Sequence, residues 1–278
     1  MEKETIDMIC RSAVSKRDLQ SDRMAHYVVR AMLAGVYIGF ALVLSFTVGQ
    51  FFYEVHSPVT YVMTALFFGI AFILIVYGGG ELFTSNTMYM TIGTMKKVTT
   101  WRETILVWMT CYGGNFLGIL LFTTLLYFSG VFQSIGEDHL LLTIAEKKMT
   151  LPTSYLFFRA IFANWLVCLA VWIPMRVKED MAKIILMMLL VFTFFISGYE
   201  HSIANLAVFL ISLTSPHSEV INMGGFIHNL IPVTIGNIVG GGFFVGMLFF
   251  FLNEPIKRKQ IQRKPIIVSA TKVSDQKL

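Results

Sequence analysis

Residues 78–86 read GGGELFTSN and place three glycines and a lone glutamate inside an otherwise hydrophobic stretch. Residues 197–202 read SGYEHS, where a glycine is again followed within two residues by a lone glutamate. Glycine has little helical preference and admits left-handed backbone angles, so each run is expected to break a helix. In a membrane, non-helical backbone survives only where protein or a water-lined cavity covers it. The two runs therefore indicate broken helices around a sheltered interior.

The sequence around these runs is strongly apolar. Hydrophobic residues make up 55% of the chain and charged residues only 14%, against roughly 25% in soluble domains. Four stretches without Asp, Glu, Lys or Arg exceed the roughly 20 residues that cross a bilayer, and two more reach that length if one or two ionisable residues are accepted. The six stretches are 31–53, 55–80, 104–136, 154–175, 184–213 and 220–253. We predict an all-α integral membrane protein with six transmembrane helices, the second and fifth of them broken.

The two halves of the chain match each other. Downstream of Glu81 and Glu200, by 34 and 37 residues, come GNFLG at 114–118 and GNIVG at 236–240. A unit of three spans re-enters the membrane from the opposite side, so the halves form an inverted three-plus-three repeat. Such repeats with discontinuous helices hold a substrate near the bilayer midplane. The pattern favours transport.

Basic residues set the expected topology. With the amino terminus in the cytoplasm, 19 of the 22 lysines and arginines lie on the cytoplasmic side, as the positive-inside rule requires. We therefore expect a multi-pass protein of the bacterial cytoplasmic membrane with both termini in the cytoplasm. Its parts would be a cytoplasmic amino-terminal segment at 1–25, a six-span channel domain at 26–254 and a basic cytoplasmic tail at 255–278. The amino-terminal segment is mildly amphipathic or simply frayed.

Several function classes are disfavoured. The net charge of +5 comes from cations at span ends, which does not indicate nucleic acid as a partner. Cys10, Cys111 and Cys168 form no CxxC pattern, so we expect no disulfide, metal or cofactor. Neither HExxH nor GxSxG occurs, and a membrane-embedded enzyme is a distant alternative.

A few polar residues inside the spans are candidates for the substrate pathway. Glu81 and Glu200 are expected to be structural, accepting hydrogen bonds from amides freed at the breaks. His201 either lines the path, where its imidazole exchanges a proton near neutral pH, or is a satisfied interior histidine. Thr84 offers a hydroxyl at the first break. Asn164 and Asn237 are expected to bridge helices.

Apolar and charged neighbours complete the candidate set. Leu82, Phe83 and Phe194 lie near the breaks and either form hydrophobic constrictions or pack ordinarily. Lys148 precedes the fourth span and either attracts anions by its field or is a solvated charge.

These segments resemble the formate/nitrite transporter family over roughly residues 30–254. The resemblance is carried by GELFT at 80–84, NWLVCLA at 164–170, SGYEHSIAN at 197–205 and NLIPVTIGN at 229–237. It implies an aquaporin-like protomer, a homopentamer with one pore per protomer, and passage of small monovalent anions or their acids. Thr84 and His201 would face a central chamber, where the histidine is able to protonate the anion. Lys148 would attract anions outside, and Asn164 and Asn237 would support the site.

The nitrite branch is the nearer match. FFR at 157–159, leading to Asn164, and SNTM at 85–88, following Thr84, resemble nitrite channels more than formate channels. We rank nitrite first, formate second and hydrosulfide third. The lipid bilayer and the other subunits of a homo-oligomer are the expected partners.

Overall fold

The computed structural model describes residues 2–253, where the regular elements are all helices and no strand occurs. A short helix lies at each face of the bundle: α1 (Glu2–Asp22) before the first span and α7 (Leu140–Thr150) between the third and fourth. We call these the α1 face and the α7 face. The predicted tail at 255–278 lies outside the described residues.

Helices cover the six predicted stretches, with non-helical breaks in the second and fifth and a π-helical segment in the sixth. Span one is α2 (Met24–Glu54), span three α6 (Trp101–Ser129) and span four α8 (Thr153–Trp172). Span two consists of α3 (Thr60–Phe68), α4 (Ile70–Tyr77) and α5 (Phe83–Met95), and span five of α9 (Asp180–Ile196) and α10 (Ser202–Thr214). Span six consists of α11 (Met223–Ile238), a π-helical segment (Val239–Met247) and α12 (Leu248–Leu252). A 3₁₀ turn (Pro174–Arg176) follows α8.

Five described helical segments are long and apolar enough to cross a membrane by themselves. They are Met24–Glu54, Thr60–Tyr77, Trp101–Ser129, Thr153–Arg176 and Met223–Leu252. The predicted fifth span is divided at residues 197–201 into helices of 17 and 13 residues. Neither half reaches the roughly 20 residues of a full crossing. The break is therefore the reason why no single helix of this span is long enough to cross a membrane.

Helix ends are fixed by local chemistry. The α6 helix begins with a capping box in which the Thr100 hydroxyl accepts from the Glu103 amide and the Glu103 carboxylate accepts from the Thr100 amide. It ends at Gly130, whose left-handed φ of 77° stops the helix. Asn222 caps α11 by accepting from the Gly225 amide.

The amino-terminal segment is ordered rather than frayed. Its α1 helix buries Ile6, Ile9 and Ala13 in the core and packs on α5. Gly93 of α5 faces the Ala13 side chain without room for a Cβ atom. The α1 helix therefore belongs to the packed bundle and brings the Lys16 side chain to the first break.

Candidate substrate pathway

The first break begins where Gly79 takes a left-handed φ of 71°. No helix forms again until Phe83, and the chain crosses close to α2, where Gly80 lies against Ala34. The Glu81 amide donates to the Arg30 carbonyl oxygen at 3.0 Å. This contact ties the non-helical backbone to span one and meets the hydrogen-bonding demand of an exposed peptide group at membrane depth.

Side chains hold the Glu81 carboxylate in place. Its Oε2 atom accepts from Lys16 Nζ at 2.5 Å and from Asn86 Nδ2 at 3.1 Å. The amide freed at the start of α5, that of Phe83, donates instead to Asn115 Oδ1 at 3.0 Å. Glu81 thus lies at the break as predicted, but its partners are a lysine and an asparagine rather than backbone amides.

The second break repeats the first. Gly198 has a φ of 67°, and the Glu200 amide donates to the Arg159 carbonyl oxygen at 3.4 Å. Glu200 Oε2 accepts from Lys148 Nζ at 2.9 Å and from Asn205 Nδ2 at 2.6 Å. The lysine comes from α7 here and from α1 at the first break, so each carboxylate is neutralised from its own face.

One asparagine supports each break. Asn115 Nδ2 donates to the carbonyl oxygens of Ala31 and Glu81, both at 2.8 Å. Asn237 Nδ2 donates to those of Ala160 and Glu200 at 2.8 and 3.0 Å, while its Oδ1 accepts from the Ser202 amide at 2.8 Å. An asparagine side chain therefore replaces the helical hydrogen bonds that each break removes. The matching contacts are those expected of the predicted repeat.

Glycines bring the supporting spans together in both halves. A Cβ atom on Gly118 would meet the Met32 backbone, and one on Gly240 would meet the Ile161 backbone. Such close approach requires glycine. It sets the asparagines on α6 and α11 within reach of the breaks on α5 and α10.

The two breaks meet at Thr84 and His201. Thr84 Oγ1 lies 2.9 Å from His201 Nε2, and both side chains are buried. His201 also caps α10, because its Nδ1 accepts from the Ala204 amide at 3.1 Å. A ring nitrogen that accepts has no hydrogen, so we assign the hydrogen of the neutral imidazole to Nε2, which donates to Thr84.

Asn164 joins the two halves. Its Nδ2 donates to the Thr84 carbonyl oxygen at 3.2 Å, to Thr87 Oγ1 at 3.0 Å and to the Asn237 carbonyl oxygen at 2.6 Å. Helix-bridging was the predicted role of Asn164 and Asn237, and these are contacts of that kind. They fix the backbone of Thr84 opposite His201.

A small cavity of about 20 Å³ lies beside His201, enough for about one water molecule. Leu82 and Phe194 line it, together with apolar side chains of α2, α4 and α9. The Phe194 and His201 rings stack with centroids 5.8 Å apart. Two of the three predicted constriction residues therefore surround the histidine.

Phe83 lies elsewhere. Its ring packs edge to face on Tyr112 with centroids 5.0 Å apart, in an apolar groove between α6 and α11. Leu82 is the extended N-cap residue and Phe83 the first residue of α5, and the change of backbone conformation between them turns Phe83 away from the cavity that Leu82 lines. The sequence placed the two residues together because they are neighbours in the chain.

A vestibule opens on each side of this centre. The one at the α7 face has a volume of about 390 Å³ and is lined by three cations, Lys147, Lys148 and Arg159, against one acid, Glu200. The one at the α1 face, of about 470 Å³, is lined by Lys16, Arg30 and Lys183 against Glu81 and Asp180. Both vestibules carry a net positive charge. A cleft lined by one sign of charge concentrates ions of the other.

Three contributors were missed at the sequence level. Lys16 lies on a separate helix, and nothing in its surroundings indicates a partner 65 residues away. Asn86 and Asn205 each follow a glutamate by five residues, so the repeat alone would have revealed both. Within residues 2–253 no group of three or more His, Cys, Asp or Glu side chains comes together to hold a metal.

Two broken helices that meet between cationic vestibules define a membrane transport protein built from an inverted repeat. The model of the formate/nitrite transporter family matches residues 3–251, and the chain belongs to that family. It is a multi-pass membrane protein and a transport protein rather than an enzyme.

Named relatives cover nearly the whole chain. The chain is 42% identical over 253 residues to the "uncharacterized transporter YwcJ" of Bacillus subtilis (strain 168), covering 91% of this chain and 99% of the relative. It is 34% identical over 261 residues to the nitrite transporter NirC of Escherichia coli (strain K12), covering 92% and 96%.

Solved structures agree on the fold. An ion channel of the same family superposes with a TM-score of 0.86 at 31% identity, covering 90% of this chain and 99% of that one. A pentameric formate channel with formate bound superposes with a TM-score of 0.70, also at 31% identity, covering 81% and 95%. These matches confirm the predicted all-helical membrane fold.

Proposed function

We propose that the chain forms a homopentamer in which each protomer conducts small monovalent anions, with nitrite as the first candidate. The Thr84–His201 contact between two positively charged vestibules is the observation that carries the proposal. Similarity to NirC favours nitrite. The neighbour with formate bound, described as pentameric, supports five subunits and keeps formate as the second candidate. Hydrosulfide remains the third.

The chemistry of the centre supports passage as a neutral acid. An unpaired anion beside Leu82 and Phe194 would lose its hydration without gaining a counter-ion, whereas the conjugate acid would cross at far lower cost. The Nε2 hydrogen of His201 and the Thr84 hydroxyl are the hydrogen-bond donors that meet at this point. We propose that His201 takes a proton from the water of the vestibule through which the anion enters, gives that proton to the anion and is neutral again, and that the acid releases the proton to water on leaving.

Topology follows from the same proposal. The α1 face would be cytoplasmic and the α7 face external, because 19 of 22 cations then satisfy the positive-inside rule. A membrane-impermeant thiol probe should label an engineered cysteine at Glu137 in intact cells but not one at Lys264. The reverse labelling would overturn the orientation.

Flux into liposomes containing the purified protein tests the function. Nitrite and formate should enter far faster than nitrate, whose conjugate acid is too strong to form readily, and acid outside should accelerate them. Liposomes without protein supply the background, and mass measurement in detergent should return five copies. Equal rates for nitrite and nitrate would reject the neutral-acid step. Absence of flux for nitrite, formate and hydrosulfide would reject the function.

A further inference from the structure

Three of the four lysines at the two vestibules are paired with carboxylates. Lys148 pairs with Glu200 and Lys16 with Glu81, and all four side chains are at most 18% exposed. At the α1 face Lys183 also pairs with Asp180 at 2.8 Å. An ammonium group held by a carboxylate offers little net field to an approaching anion, so the capture of an anion requires another cation.

The exposed Lys147 of α7 and two arginines, Arg30 and Arg159, are left. Each arginine lines the vestibule of its own face, and neither guanidinium has an ion pair or hydrogen bond to any residue within 2–253. Arg30 is exposed and Arg159 half-buried. The backbone of each arginine is held at the nearest break, because its carbonyl oxygen accepts a hydrogen bond from the amide of the glutamate there.

The inverted repeat makes the two arginines equivalents. At the first break, Arg30, Ala31 and Met32 contact Glu81, Asn115 and Gly118 in that order. At the second break, Arg159, Ala160 and Ile161 make the same contacts with Glu200, Asn237 and Gly240. A guanidinium presents paired N–H donors that match two oxygens of a planar anion. Nitrite and formate have that shape.

We propose that Arg159 and Arg30 are the residues that capture the anion at the α7 face and the α1 face, one for each mouth of the pathway. This inference rests on the proposed function. It assigns the arginines to the mouths and leaves the central step to Thr84 and His201. Because each arginine binds the anion on its own side, its loss raises the half-saturation concentration on that side only.

Transport measured from each face tests this. Uptake is followed into right-side-out and inverted membrane vesicles, with nitrite, formate and hydrosulfide as probes. Arg159→Gln should raise the half-saturation concentration for nitrite or formate by about three- to tenfold when the anion is added at the α7 face. It should leave the value at the α1 face unchanged, and Arg30→Gln should do the opposite. Each variant is the other's matched control.

Further variants separate capture from net charge. Arg23→Gln removes a cation on the α1 side that lines a surface groove rather than the vestibule, and its half-saturation concentration should equal that of wild type. Lys147→Gln removes the exposed neighbour of Lys148 and should have a smaller effect than Arg159→Gln. Arg159→Met replaces the glutamine variant if the latter fails to assemble.

The outcomes divide cleanly. If wild type carries an anion but both arginine variants saturate like wild type on their own face, the inference fails and the function stands. An effect of Arg23→Gln equal to that of Arg30→Gln would also overturn it, because a diffuse field would then suffice. If wild type carries none of the three anions, function and inference fall together.

Discussion

The two broken helices share a scaffold and differ at their centre. Both have a glycine with positive φ, a glutamate paired to a lysine, and an asparagine on the third span of the unit. One residue after the glutamate, however, the first half has Leu82 and the second has His201. The repeated residues build the two breaks, and the unmatched residue brings an imidazole to the point where the breaks meet.

A second difference lies where the spans cross. In the first half, Gly35 faces Ile119, and a Cβ on that glycine would approach the isoleucine side chain at 3.2 Å. In the second half the sizes are exchanged, because Asn164 takes the place of Gly35 and Gly241 that of Ile119. The exchange gives the second half a polar side chain that reaches Thr84. The exchange therefore makes the repeat asymmetric at the Thr84–His201 contact.

The largest expected effect comes from removing the unmatched histidine. His201→Asn keeps a helix-capping acceptor and hydrogen-bonding groups but exchanges no proton near neutral pH. Nitrite uptake and its acceleration by external acid should fall together, on the order of 100-fold. Liposome flux measures both, after the oligomer size has been shown to match wild type. A pentameric variant with wild-type, acid-accelerated uptake would eliminate the proton-donor role.

The next effect compares the two ion pairs. Glu200→Gln leaves Lys148 charged in a pocket where its side chain is 18% exposed, and Glu81→Gln does the same to Lys16 at 15%. Breaking a buried pair costs roughly 3–5 kcal/mol, and residual exposure reduces this. The Glu200 side chain is 2% exposed and that of Glu81 10%. Because the two lysines are almost equally exposed, the more buried carboxylate makes the stronger ion pair, and thermal unfolding in detergent should show the greater loss for Glu200→Gln.

Paired substitutions provide the control for that comparison. Lys148→Met combined with Glu200→Gln leaves no charge unpaired, so part of the stability should return. The combination of Lys16→Met with Glu81→Gln should behave alike at the other face. A larger loss for Glu81→Gln than for Glu200→Gln would show that burial does not rank the two pairs.

A smaller effect is expected at Gly241, the small residue that takes the place of Ile119 in the second half. An added Cβ at Gly241 would meet Thr87 Oγ1 and Asn164 Nδ2, whereas one at Gly113 would meet nothing within 4 Å. Gly241→Ala should cost about 1–3 kcal/mol by overpacking, and Gly113→Ala should be neutral or slightly stabilising. Unfolding midpoints in detergent compare the two. Equal midpoints would mean that the Asn164 contacts adjust freely.

Local signals made the spans, the breaks and the repeat predictable. A glycine close to a lone glutamate, as at 78–81 and 198–200, can be recognised within a single segment. The Gly-Asn pairs at 114 and 236 then show that the two halves of the chain match. The pairing of Glu81 with Lys16 was not predictable, because α1 reaches the break through tertiary packing. The π-helical segment at Val239–Met247 was not predictable either. Three consecutive glycines indicate that the backbone is flexible there, but not that the helix changes to π geometry. Neighbouring Leu82 and Phe83 were predicted alike, and they separate because the backbone is extended at Leu82 and helical from Phe83.

The smallest expected effect concerns His139, which has no counterpart at the α1 face. Its Nδ1 caps α7 by accepting from the Leu141 amide at 3.2 Å, and its ring packs on Phe132. Burial lowers the pKa of His139 and outweighs the opposing fields of Glu54 and Asp138. The folded chain thus prefers the neutral ring, while the unfolded chain takes up a proton below about pH 6.5. Stability near α7 is therefore complete above that pH and falls as the medium becomes more acidic.

Hydrogen exchange at the first turn of α7 should accelerate at pH 5 relative to pH 7.5, beyond the intrinsic pH dependence of exchange. His139→Asn keeps a cap without titrating and should remove the difference, whereas His56→Asn, at an exposed position on the same face with a φ of 52° that asparagine tolerates, should retain it. If His139→Asn keeps the acid-dependent opening, another group controls α7, and with it the placement of Lys148 beside Glu200.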